Sequence, residues 1–165
     1  NSKLLLKSSN KFNKNAIIKK FDKLISSDSL IILDHTISHK EHIMKYRNVD
    51  LALDTFPYNG VTTTFEALWM NVPVLTLKGF NSNSRCGESI NLNADMKFFI
   101  ANNIEEYIEK AVYISRNLDQ LDYYRSKLFS DILKTPLFDT NKFADEFINK
   151  LNNIFNEHKF KYGTK

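Results

Sequence analysis

The stretch from Val49 to Leu77, VDLALDTFPYNGVTTTFEALWMNVPVLTL, limits the folds open to this chain more than any other. It reads as a buried strand over Val49–Leu53, a turn over Asp54–Gly60, a helix over Thr62–Met70 and a second buried strand over Val72–Leu77. Parallel strands need a crossover, and strand–loop–helix–strand is the smallest unit of a parallel α/β sheet. Gly60 permits a tight bend, Thr62 or Thr63 caps the helix, and Thr63-x-x-Glu66 has the capping-box pattern. A well-capped helix without a ligand would account for that pattern. Thr62, Thr63 and Thr64 nevertheless bring more hydroxyls than a cap requires. They meet the free N–H groups and the positive dipole end of a helix N-terminus, a place suited to phosphate. Glu66, one turn further in, is placed to accept from ribose hydroxyls. Neither a Walker lysine motif nor G-x-G-x-x-G occurs, so a P-loop and the dinucleotide fingerprint are both unsupported.

The 165 residues suffice for one domain with a real core, expected over 1–158, with a solvated basic tail over 159–165. The net charge of +4 favours an anionic ligand, but lysines are spread along the chain and give a nucleic-acid partner little support. The lone Cys86 excludes an intramolecular disulfide and suits a reducing compartment. No apolar run approaches the roughly 20 residues that span a bilayer, and Leu4–Leu6 is too short for a signal peptide. The expectation is a cytoplasmic protein with no membrane partner. The chain opens without methionine and almost directly in strand-like sequence, so it is expected to be a piece of a longer protein.

In order, Lys3–Lys7 predicts a strand, Asn13 caps a helix to about Ile25, and Leu30–Leu33 predicts a second strand. Lys40–Tyr46 is a short helix leading into the central unit. A helix follows from Ser82 or Ser84, then a short strand at Phe98–Ile100. Ile104–Ile114, capped by Asn102 or Asn103, and Leu118–Leu133, ended before Pro136, are helical. Asn141–Phe155 carries Phe143, Phe147, Leu151, Ile154 and Phe155 at helical spacing and is expected to fold back over the sheet. The fold class is α/β, Rossmann-like, with a mainly parallel sheet, helices on both faces and C-terminal helices. In such sheets ligands bind beyond the carboxyl ends of the strands. The loops Asp34–His42, Asp54–Thr64 and Lys78–Arg85 all follow strands and should gather there.

His35, His39 and His42 invite a metal reading, but no carboxylate or cysteine pattern completes a zinc site, and no metal is expected. His42 near a helix start suits contact with a base or phosphate, or simply an exposed helix end. Arg85 suits a diphosphate or a surface ion pair with Glu88 or Asp95. Trp69, sharing an apolar face with Phe65 and Leu68, is expected in the core. Cys86 is read as a small packed residue and Asp54 as an Asx residue that holds its loop.

The segment HKEHIMKYRNVDLALDTFPYNGVTTTFEALWMNVPVLTLKGFNSNSR resembles the C-terminal catalytic half of the O-linked N-acetylglucosamine transferases and SPINDLY-like proteins of glycosyltransferase family 41. The specific part is D-L-x-L-D-T-x-P-Y-N-G-x-T-T-x-x-[DE]-A-L-W-x-x-x-P-V-L-T, followed by the S-R pair. The likeness continues through S-K-L-F and T-P-L-F-D-T at 126–140. It implies the C-terminal half of an inverting GT-B glycosyltransferase that takes a UDP-sugar, with UDP-N-acetylglucosamine the expected donor, and transfers the sugar to a hydroxyl such as a protein Ser or Thr. Thr62 and Thr63 match the threonines that hold the diphosphate, with Gly60 in their turn. Glu66 stands where an acidic residue, usually aspartate, binds ribose. His42 matches a histidine beside the uridine, Ile37 offers backbone groups to the uracil, and Lys45 takes the place of a basic residue near the base. His39 falls near a family lysine that approaches the ribose, with Lys40 beside it. The nucleotide-sugar set is therefore Ile37, His39, His42, Lys45, Gly60, Thr62, Thr63, Glu66 and Arg85.

Val61 departs from the histidine that often precedes the two threonines. By the same resemblance, the N-terminal catalytic half with its proposed catalytic histidine, the tetratricopeptide repeats and an upstream lysine that reaches the diphosphate are missing. No general base is assigned, no cofactor is needed beyond the UDP-sugar substrate, and the segment alone is expected to be inactive. The rival readings are a non-catalytic nucleotide-binding or scaffold module and, with less support, a basic nucleic-acid-binding domain.

Overall fold

The computed structural model describes residues 2–8 and 11–163. Among these residues five strands, β1 (Leu4–Lys7), β2 (Leu30–Leu33), β3 (Ala52–Leu53), β4 (Val74–Leu77) and β5 (Ile100–Ala101), alternate with helices. These are α1 (Lys11–Phe21), α2 (His39–Lys45), α3 (Thr62–Trp69), α4 (Cys86–Asn93) and α5 (Ile104–Arg116), followed by α6 (Leu118–Ile132) and α7 (Thr140–Tyr162). Every strand pair is parallel, as the alternation requires. The ladders form two groups, β1–β2 and β3–β4–β5. Leu4 pairs with Leu30 in the first, while Ala52 pairs with Val74 and Thr76 with Ile100 in the second.

Strand β4 lies between two neighbours, and all four of its residues are buried. That is why it reads as an apolar run, interrupted only by Thr76. Leu75 within it and Leu68, Phe99 and Ile132 around it are fully buried, so the core joins β4 to α3 and α6. Helices α3 and α4 both end with a non-glycine residue in the left-handed region, Asn71 at φ 59° and Asp95 at φ 57°. The N–H of Val72 returns to Ala67 at 2.8 Å and that of Met96 to Asn91 at 2.8 Å. Both ends are thus Schellman closures, satisfying carbonyls that a helix terminus leaves free. Asn71 also accepts from the Phe129 N–H at 2.9 Å, so the same residue that turns the chain docks α6.

Several expectations need correction. Asn13 lies inside α1, which ends at Phe21 and not near Ile25. The strand expected over Val49–Leu53 keeps ladder pairing only at Ala52–Leu53, and α4 begins at Cys86, after a loop held by Ser84 and Asn81. The last strand is Ile100–Ala101, since Lys97–Phe99 forms a 3₁₀ turn. Trp69 is not core: it is 48% exposed and lies against the rings of Phe129 and Phe138 on α3's outer side. Helix α7 does not lie over the sheet. Every residue from Asn141 to Lys161 is exposed, its apolar stripe included. The helix continues into the basic segment as far as Tyr162.

Candidate functional site

The site is built on the loop that leaves β3. Asp54 Oδ1 accepts from the N–H of Thr55 at 2.9 Å and of Gly60 at 2.7 Å, and Oδ2 accepts from the buried Thr76 hydroxyl at 2.7 Å. The turn, which includes a cis peptide at Phe56–Pro57, is thereby folded back around one carboxylate. This is the Asx role expected of Asp54. Burial raises its carboxyl above the ordinary value, opposed by the hydrogen bonds from Gly60, Thr76 and Thr55. Tyr107 closes the other side by donating to the Asp54 carbonyl at 3.1 Å, and burial with the Asp54 charge pushes its hydroxyl up to about 12. A side chain on Gly60 would meet the Thr63 hydroxyl, and one on Gly87 would meet Thr76 and the Asp54 carboxylate. Both glycines are therefore required by close approach.

Helix α3 starts at Thr62 with Val61 in the cap position and no side-chain cap. Thr64 is buried and donates to the Gly60 carbonyl at 2.9 Å. Thr62 and Thr63 are exposed, and among the described residues their hydroxyls and N–H groups have no partner. The capping box expected from Thr63 and Glu66 does not form. Glu66 instead turns to α2, where its Oε2 lies 2.9 Å from His42 Nε2 and accepts from the Tyr46 hydroxyl at 3.3 Å. Burial and the Glu66 charge push the Tyr46 hydroxyl well above its ordinary value, so it remains a donor. Tyr46 also reaches the Thr63 carbonyl at 3.2 Å, tying α2 to the first turn of α3.

Around this pair the three loops do gather at the carboxyl edge. His39 Nδ1 lies 3.9 Å from Glu66 Oε1. The Asn59 N–H donates to the Asn83 carbonyl at 3.2 Å, joining the loops after β3 and β4. Ile37 and Lys45, with His35, Glu41 and Met44, line an open groove of about 630 Å³ at the end of β2. Ile37 has one backbone group already engaged, its N–H donating to Glu41 at 3.2 Å, which leaves the carbonyl. Among the described residues no group of three or more His, Cys, Asp or Glu is arranged to hold a metal ion.

Arg85 stands at the start of α4 and takes the ion-pair option, its Nε 2.7 Å from Glu88 Oε2. Lys78 meets the other oxygen of Glu88 at 3.0 Å. Hydrogen bonding from Arg85, aided by Lys78, holds the Glu88 carboxyl below its ordinary value despite burial, and Glu88 in turn raises Arg85. Cys86 is half-buried, its thiol directed to the Ser82 carbonyl at 3.2 Å. Glu88 is one of the two ion-pair partners expected for Arg85, whereas sequence reasoning missed Tyr46 and Lys78, and also Lys7, whose Nζ lies 2.9 Å from His42 Nδ1. The usable signal for Lys7 was its place at the carboxyl end of a strand in a parallel unit.

No helix among the described residues is long and apolar enough to cross a membrane. The model of glycosyl transferase family 41 matches residues 2–147. The chain is 36% identical over 115 residues to a tomato (Solanum lycopersicum) protein named as a probable UDP-N-acetylglucosamine–peptide N-acetylglucosaminyltransferase SPINDLY; the match spans 70% of this chain and 12% of that one. The Arabidopsis thaliana protein with the same probable activity, SEC, is 32% identical over 135 residues, spanning 81% of this chain and 14% of its own. Among solved structures, a mutant of the Thermobaculum terrenum O-GlcNAc transferase superposes with a TM-score of 0.85 at 26% identity, covering 94% of this chain and 30% of that one. The α/β class, the parallel strands and the match along most of its length agree: the chain belongs to glycosyl transferase family 41.

Proposed function

We propose that this chain is the donor-binding, C-terminal half of an inverting UDP-sugar glycosyltransferase that moves N-acetylglucosamine to a hydroxyl of a protein or peptide acceptor. The observation that carries the reading is the first turn of α3. There two exposed threonines, whose hydroxyls and N–H groups have no partner among the described residues, stand one turn from a carboxylate fixed by His42. The diphosphate takes the Thr62 and Thr63 donors, Glu66 accepts from the ribose, and the uracil lies in the groove bounded by Ile37 and Lys45. As the sugar–phosphate bond breaks, negative charge grows on the departing UDP. The helix N-terminus is already oriented to receive it, which lowers the barrier. No residue here is assigned as the general base, and the matches span 12% and 14% of those relatives' own length. By the family resemblance, His39, with Lys40 beside it, approaches the ribose. Arg85 serves the site by bracing Glu88 and the loop after β4, unless a bound diphosphate draws it away.

Turnover of labelled UDP-N-acetylglucosamine by the full-length protein tests the reading. Transfer to peptide acceptors that falls by about 100-fold or more in the Thr62→Ala/Thr63→Ala variant, the scale of removing transition-state donors, would uphold it. A full-length protein that binds UDP and transfers no sugar would leave a non-catalytic nucleotide-binding module.

A further inference from the structure

Lys7 ends β1, on the smaller of the two strand groups, and its ammonium reaches across to α2. Its Nζ lies 2.9 Å from His42 Nδ1 and 3.1 Å from the hydroxyl of the buried Thr36, and among the described residues no carboxylate pairs with it. An ammonium has hydrogens to give and no lone pair to accept with. His42 Nδ1 must therefore accept, and the ring proton sits on Nε2, 2.9 Å from Glu66 Oε2. That oxygen also receives the Tyr46 hydroxyl, whereas among the described residues Oε1 has only His39 at 3.9 Å. The carboxylate is thus held by one oxygen and offers the other. A group that fixes a histidine's tautomer fixes what the opposite nitrogen can do.

We infer that Lys7 is a positioning residue: by occupying His42 Nδ1 it locks the Nε2–H tautomer, and through it turns Glu66 so that Oε1 faces an incoming ribose hydroxyl. The inference rests on the donor-site reading for the identity of the ligand and on this chain's own geometry for the lock. Lys7 adds no contact to the sugar itself. Its effect on binding is confined to what Glu66 recognises.

The test uses the chain labelled with ¹⁵N-histidine, as wild type, Lys7→Met and Lys7→Arg. Without ligand, the wild type and Lys7→Arg should show a pyridine-type resonance at His42 Nδ1 and a protonated Nε2, and Lys7→Met should lose that pattern while its backbone amide spectrum stays folded. A Lys7→Met protein with an unchanged His42 tautomer overturns the lock. Titration with UDP and with 2′,3′-dideoxy-UDP then reads the consequence. Preference for UDP should drop about tenfold in Lys7→Met, the scale of one hydrogen bond to a charged group, and recover in Lys7→Arg. Equal weakening of both nucleotides would mean that Lys7 acts on the phosphates directly, and would overturn the positioning role. If the wild type binds neither nucleotide, the donor reading fails and the Oε1 assignment with it; the ligand-free spectra still decide the lock.

Discussion

Removing the Asp54 carboxylate should unfold the loop that carries the site before it unfolds anything else. Asp54 holds two N–H groups and the Thr76 hydroxyl, and Thr76 is fully buried in β4. In Asp54→Ala the Thr76 hydroxyl and the Gly60 N–H lose their acceptor in surroundings that admit little water. At about 1–3 kcal/mol for each of these two stranded groups, the cost comes to roughly 2–6 kcal/mol, a large share of the ~5–15 kcal/mol that holds a domain. Asp54→Asn should cost far less, about 1 kcal/mol. Its amide oxygen keeps the backbone donors, its NH₂ can donate to the Thr76 oxygen, and the neutral side chain escapes the burial that raises the Asp54 carboxyl. Urea unfolding followed by far-UV circular dichroism gives both numbers from the midpoint shift at constant slope. A midpoint for Asp54→Ala within about 0.5 kcal/mol of wild type, the range of ordinary surface substitutions, would refute the claim that this carboxylate organises the turn.

Gly87→Ala should destabilise by about 1–3 kcal/mol, as expected of overpacking, because the new methyl group meets Thr76 and the Asp54 carboxylate from the other side; the same urea series measures it. Trp69→Ala should cost roughly 1–3 kcal/mol by urea unfolding, below the ~3–5 of a fully buried tryptophan, since the ring is half-exposed against Phe129 and Phe138. Glu106 is held down at about 2 by Lys110 and by the N–H and amide of Asn102. Its folded value lies below its unfolded one, so its stabilising contribution is present above the ordinary value of 4.5 and is lost as pH falls toward 2. Glu106→Gln should flatten that part of the stability–pH curve, and by no more than about 1 kcal/mol for a pair at the surface with both side chains only half-buried.

What was legible in the sequence was what local pattern encodes. The apolar run of β4 marked a strand buried on both faces, Asn103 capped α5 as expected, its side chain accepting from the Glu106 N–H at 2.8 Å, and the three loops met where parallel topology requires. Illegible were choices settled by distant partners. Glu66 sits at the right spacing for a capping box with Thr63, yet His42, 24 residues earlier, takes it. Lys7 and His42 are 35 residues apart, with no periodicity to connect them. Helical spacing identified the apolar stripe of α7 without saying that it is left exposed, because the period reports that a face exists and not what it meets. Trp69 failed for the same reason: one turn of apolar residues spans more than the side that packs inward. Asn71 and Asp95 closed helices in the left-handed conformation, where a glycine would have been the readable sign.

The most direct measurement is isothermal titration of UDP into the chain, wild type against Thr62→Ala/Thr63→Ala, with matched circular dichroism for the two proteins. The account predicts saturable binding at one site, weakened by about 100-fold on losing two hydroxyl donors to a charged ligand. Wild-type binding that the double substitution leaves unchanged would contradict the placement of the diphosphate at the start of α3.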